Sequence, residues 1–120
     1  MDAEKDRQLF ALAQQQSRLG QTRAVVQTMR ELVRRRPKSG LLAAVLANAL
    51  ASLGEMDEAE RYFQRAVGLA PKSEKVSLGL FHCLWGQGKT DAAFEEMKRF
   101  ECLAHSPEYQ AILNGILKSE

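Results

Sequence analysis

The chain repeats itself every 34 residues without a gap, and no other feature limits its fold as much. Gly20, Gly54 and Gly88 share a column at that period, and so do Leu12, Leu46 and Leu80. Ala13 matches Ala47, Pro37 matches Pro71, and Met29 matches Phe63 and Met97. Val25, Ala59 and Ala93 fill another column, with Ala24 and Ala92 in the one before it. A unit this short cannot bury its apolar side alone and must stack on its neighbours.

The clearest unit shows what the columns do. Ala59, Phe63 and Ala66 stand at i, i+4 and i+7, one stripe of a helix that Ala70 extends. Gly54 before it and Pro71 after it punctuate both ends. Small residues around one aromatic imply a second helix packed very close, so each unit is a helix pair, A then B. The spacing predicts seven helices, near 3–18, 22–36, 40–53, 56–69, 74–86, 90–103 and 107–118. Ser39 and Ser73 suit the N-caps of the second and third A helices, and Thr90 with Asp91 suits the start of the third B helix. Ser106 and Pro107 form an N-cap and first-turn pair for the last helix. That helix carries Ile112, Leu113, Ile116 and Leu117 on one face, expected to lie buried against the preceding B helix.

These columns resemble the tetratricopeptide repeat, with a small residue after Leu, then Gly, Ala, an aromatic, Ala and Pro. The resemblance implies an all-α fold: an α-solenoid of three helix–turn–helix repeats, 6–39, 40–73 and 74–107, with a seventh capping helix at 107–118. Some columns depart from the family pattern. Its early Trp is replaced by Leu9, Ala43 and Ser77, and two small positions of the third repeat hold Phe81 and Phe100. Such bulk should hold the next helix away, or meet a small residue such as Ala111 or Gly115.

Composition agrees with one globular domain at 45% hydrophobic and 27% charged residues. The longest apolar run, Leu41 to Ala47, is too short to span a bilayer, and the charged start "MDAEKDRQLF" is no signal peptide. Two cysteines without targeting signals point to free thiols in a cytoplasmic, reducing setting. No phosphate loop, HExxH or CxxC occurs, so neither an enzyme nor a cofactor is expected. Cys102 and His105 have a metal-ligand spacing, but His82 and Cys83 are adjacent and point about 100° apart on a helix. Two half-buried thiols are the expectation, with no metal.

Charge is uneven. Residues 1–39 hold nine basic and four acidic residues, against eight and eleven in 40–120. Arg34, Arg35 and Arg36 end a helix, where cations complement the macrodipole. A net charge of +2 with few aromatics near that run disfavours nucleic acid and leaves an acidic protein partner as the better alternative.

The resemblance implies that A helices line a concave surface suited to a peptide or helix. That surface would carry Arg7, Phe10, Gln14, Ser17 and Arg18, then Leu41, Ala44, Asn48 and Ala51, then Lys75, Leu78, His82 and Trp85. Trp85 suits either this groove or packing beneath the last helix. Family members that clamp a chaperone's C-terminal carboxylate use Lys and Asn groups of which only Asn48 is matched; Phe10, Gln14, Leu78 and His82 stand at the others. The sequence therefore reads as a non-catalytic protein-binding module for an amphipathic helix or apolar loop. Small bacterial adaptors such as secretion chaperones and toxin-immunity proteins are similar, and a scaffold of chains stacked end to end is the other class.

Overall fold

The computed structural model describes residues 3–118. They form seven helices and no strand: α1 (Ala3–Arg18), α2 (Thr22–Arg35), α3 (Gly40–Ser52), α4 (Met56–Leu69), α5 (Glu74–Gly86), α6 (Thr90–Glu101) and α7 (Pro107–Lys118). Each helix through α5 packs on the next, and the inner helices α3 and α5 also meet, so the pairs α1–α2, α3–α4 and α5–α6 stack as an α-solenoid. The described chain is elongated, 49 × 28 × 22 Å.

The 34-residue period survives as repeated hydrogen bonds. Gly20, Gly54 and Gly88 have φ of 74°, 82° and 78°, a region that costs other residues strain. The residue after each glycine donates its N–H back into the A helix: Gln21 to Gln16 O, Glu55 to Leu50 O and Lys89 to Leu84 O, at 2.9–3.0 Å. That pattern is a Schellman stop. The same residue is already the N-cap of the B helix, so one residue serves both ends. This corrects the expected role of Thr90 and Asp91: Lys89 is the N-cap, Thr90 is the first helical residue, and no side chain caps any B helix. Ser39 and Ser73 do cap α3 and α5, accepting from Leu42 N–H and Val76 N–H.

The small-residue columns permit close packing. A Cβ added to Gly79 would sit 2.4 Å from the Phe63 ring, and one on Gly40 would sit 2.9 Å from Ala70 Cβ. Ala59, Ala66 and Ala93 are fully buried around the central helices. A second 34-residue echo is polar: Arg65 donates to Pro37 O at 3.0 Å and Arg99 to Pro71 O at 2.9 Å. The second and third B helices, α4 and α6, are thereby each tied to the loop that precedes their own pair.

The last helix departs from expectation. Ile112, Leu113 and Ile116 are half-buried and Leu117 is 58% exposed, so they do not form a buried face. Tyr109 is the buried residue of α7. Phe81 and Phe100 occupy the columns of Ala47 and Ala66 and fill the space into which a helix would settle; Tyr109 rests on both rings, 5.4 and 6.0 Å between centroids. Ala111 and Gly115, expected to face those rings, are exposed instead.

Polar groups fix α7 where close packing cannot. Ser106 Oγ accepts from Tyr109 N–H at 3.1 Å, capping the helix, and donates to Glu74 Oε2 at 2.6 Å. Tyr109 Oη lies 2.6 Å from Ser77 Oγ, which donates to Glu96 Oε2 at 2.7 Å. Arg99 completes the chain with two bonds to Glu96. Among the described side chains no buried polar atom is left without a partner.

Candidate functional site

The concave side is not uniform, because Phe10 stands in the column that holds Ala44 and Leu78 in the later A helices. α5 meets α3 directly past Ala44, Ala47 and Ala51, whereas α1 does not close on α3 in the same way and Phe10, in the Ala44 column, lines the gap between them. A cleft results, with α2 as its floor.

Two cavities occupy this cleft, one on each side of Phe10. The first, about 400 Å³, is lined by Phe10, Gln14, Ser17, Arg18, Asn48 and Ser52 over an apolar floor that includes Val25 and Met29. The second, about 710 Å³, is lined by Asp6, Arg7, Phe10, Gln14 and Arg36 with Leu32 and Leu42 beneath. Phe10 and Gln14 belong to both. The acid at the rim is already engaged: Asp6 accepts from Arg35 and Arg36 at 2.6 Å each, and these bonds hold its carboxyl below the usual carboxylate range. Arg7 is loosely paired with Glu4 at 3.7 Å and largely exposed, and Arg18 is exposed at the other mouth. The cleft is therefore apolar inside, amide-lined at its centre and basic at its ends.

Of the residues expected on the concave surface, the cavities gather Arg7, Phe10, Gln14, Ser17, Arg18 and Asn48. Leu41, Ala44, Ala51, Lys75, Leu78, His82 and Trp85 line neither. Trp85 is 40% exposed, stacked on Phe81 at 5.8 Å and edge-on to Phe94 of α6 at 5.6 Å. His82 stands edge-on to Phe81 at 5.5 Å. The aromatic bearing the last helix is Tyr109 rather than Trp85. The α2 floor, Val25 and Met29, is absent from the sequence list because its repeat columns read as core.

The candidate metal ligands are dispersed. Cys83 is buried with Sγ directed at Met56 O and Gln87 Nε2, and burial pushes its thiol pKa up. Cys102 is exposed at the end of α6. Among the described residues no group of three His, Cys, Asp or Glu side chains comes together as a metal site. No described helix is long and apolar enough to cross a membrane.

Stacked helix pairs with a concave inner side define the class of protein, an α-solenoid. Residues 50–114, more than half of the chain, match the tetratricopeptide repeat family model, and the chain belongs to that family. Comparison with curated protein sequences gives no match. Among solved structures, it resembles the translocator chaperone SycD of Yersinia enterocolitica type III secretion, with TM-score 0.79, 17% identity, 96% of this chain and 88% of that one. It is also similar to the TPR2B domain of yeast Sti1 in a complex with pHsp70, with TM-score 0.77, 16% identity and coverage of 93% and 85%. A MamA mutant matches at TM-score 0.74 and 22% identity, covering 88% and 78%. Against MamA from AMB-1 the match covers 87% of this chain but 58% of that one. At these identities the likeness is one of fold.

Proposed function

We propose that this chain is a cofactor-free protein-binding module, working in the cytoplasm, that holds a segment of a partner protein in the α1–α3 cleft of its concave face. The observation that carries this reading is the pair of cavities on either side of Phe10, which share Phe10 and Gln14. Apolar walls suit two anchoring side chains of the partner. Gln14 and Asn48 offer amide donors and acceptors to fix its register, and Arg7 and Arg18 favour acidic flanks. The ligand is thus an amphipathic, acidic segment rather than nucleic acid. A free C-terminal carboxylate fits less well, since no cation accompanies Asn48 at the clamp positions held by Phe10, Gln14, Leu78 and His82. Similarity to the Sti1 domain in its pHsp70 complex and to the chaperone SycD supports a protein ligand.

The test is capture from an extract of the source cell by wild-type protein and by Phe10→Asp, with circular dichroism confirming that both fold. The reading expects partner bands that disappear with the variant. Equal capture by both would remove the cleft from the function.

A further inference from the structure

We infer that the segment held in the α1–α3 cleft is an α-helix lying along the A helices rather than across the stack. It carries two apolar anchors seven residues apart, a small residue between them and acidic residues just outside them. This occupant rests on the cleft being the binding site, and adds shape, spacing and charge to that reading.

The two cavities follow one another along the helix axes. In α1 the midpoint of the lining residues moves from between Gln8 and Leu9 in the larger cavity to Gln14 in the smaller. At α3 it moves from between Gly40 and Leu41 to between Asn48 and Ala49. α2 runs the other way, giving Leu32 to the larger cavity and Val25 and Met29 to the smaller. The offset is about six to eight residues, or about 9–12 Å at 1.5 Å per residue. A helix sets side chains i and i+7 on one face about 10.5 Å apart, inside that range. An extended strand offers about 6.8 or 13.6 Å, outside it. Polyproline II, with about 9.3 Å from i to i+3, also falls inside, and the walls decide against it. Three helices enclose the cleft with their backbone groups bonded internally, so an extended backbone meets only side-chain partners such as Gln14 and Asn48. A helix brings its own hydrogen bonds.

Phe10 lines both cavities and stands between them, so a helix crossing it needs Ala, Gly or Ser at i+3 or i+4. The cavities are unequal, about 710 and 400 Å³. The anchor over Leu32 and Leu42 is therefore the bulkier, and the one over Val25 and Met29 the smaller. Charge comes from both mouths. Among the described residues that line the cleft, Arg7, Arg18 and Arg36 face a single acid, Asp6. Asp6 is already held by Arg35 and Arg36 at 2.6 Å each. Arg7, loosely paired with Glu4, is exposed at one mouth and Arg18 at the other. An acid just outside each anchor thus meets a cation at either end.

Selection from a display library of random helix-length peptides tests this, on wild-type protein against Phe10→Asp and Arg18→Glu. Arg18 is exposed, so its variant keeps the test sound even where Phe10→Asp unfolds. Peptides enriched on wild type alone should carry apolar residues at i and i+7, a small residue between them and flanking acids. Synthetic copies should gain helical circular dichroism on binding, and Ala at either anchor should weaken them about thirtyfold. Moving one anchor to i+5, on the far side of the helix, should lose as much. Arg18→Glu should weaken the acidic copies, and Lys in place of the neighbouring acid should restore them. Enriched peptides that need Phe10 but bind without helical signal, or with anchors two or three residues apart, overturn the helix and leave the cleft reading standing. A library in which nothing binds wild type more tightly than the variants overturns both.

Discussion

The Tyr109 hydroxyl donates a buried hydrogen bond to Ser77 Oγ, 2.6 Å away, and so joins α7 to α5. The direction follows from proton count, because the single proton of Ser77 goes to Glu96 at 2.7 Å. Ser77 replaces the early aromatic of the family pattern, and Tyr109 fills the room that this leaves. Tyr109→Phe should therefore orphan a buried acceptor and cost about 1–2 kcal/mol. Tyr109→Ala also removes the ring from Phe81 and Phe100 and should cost about 3–5 kcal/mol. Denaturant unfolding gives both values, and hydrogen exchange should show α7 losing protection first.

Burial pushes the Tyr109 hydroxyl up to about 12 from its ordinary value of 10.0, against the smaller opposing effect of Ser77. A folded-state value above the unfolded one means that the stabilisation is intact below pH 10 and is lost as pH climbs towards 12. The loss should reach about 3 kcal/mol. Unfolding curves across that alkaline range should show it, and Tyr109→Phe should flatten the dependence.

Two glycine substitutions should fail for different reasons. Gly79→Ala drives a Cβ into the Phe63 ring and should cost about 1–3 kcal/mol. Gly54→Ala has open space but a φ of 82°, and should cost about 1 kcal/mol. Combining each with Phe63→Leu separates the causes. A double-mutant cycle should show coupling with Gly79→Ala and none with Gly54→Ala.

Dialysis against a chelator should leave Tm unchanged. Cys83 is buried and directed at Met56 and Gln87, while Cys102 is exposed at the end of α6. Metal-dependent folding would instead appear as a large fall in Tm, reversed by zinc.

The stack was legible because its determinants recur in columns. Gly20, Gly54 and Gly88 announce the turns, and Ala59 and Ala66 announce close helices. Arg65 and Arg99 were equally periodic, but an arginine's target is a carbonyl whose position exists only after folding. The seating of α7 was not legible. Its four aliphatic residues make the stronger pattern, yet the space they would occupy is filled by Phe81 and Phe100, and a lone Tyr109 gives no periodic signal. At the concave face the sequence identified Phe10, Gln14 and Asn48 as neighbours. It did not reveal the gap between α1 and α3 that Phe10 lines, since how closely two A helices approach depends on packing that a column of residue types does not specify.

A photo-crosslinking residue placed at Gln14, compared with one at Arg61 on the outer face of α4, tests most directly whether the α1–α3 cleft is the binding site. In the source cell, the Gln14 probe should yield a discrete crosslinked partner that vanishes when Phe10→Asp is added, and the Arg61 probe should not capture it. Capture of the same protein equally from Arg61, or capture at Gln14 that Phe10→Asp leaves unchanged, would contradict the account.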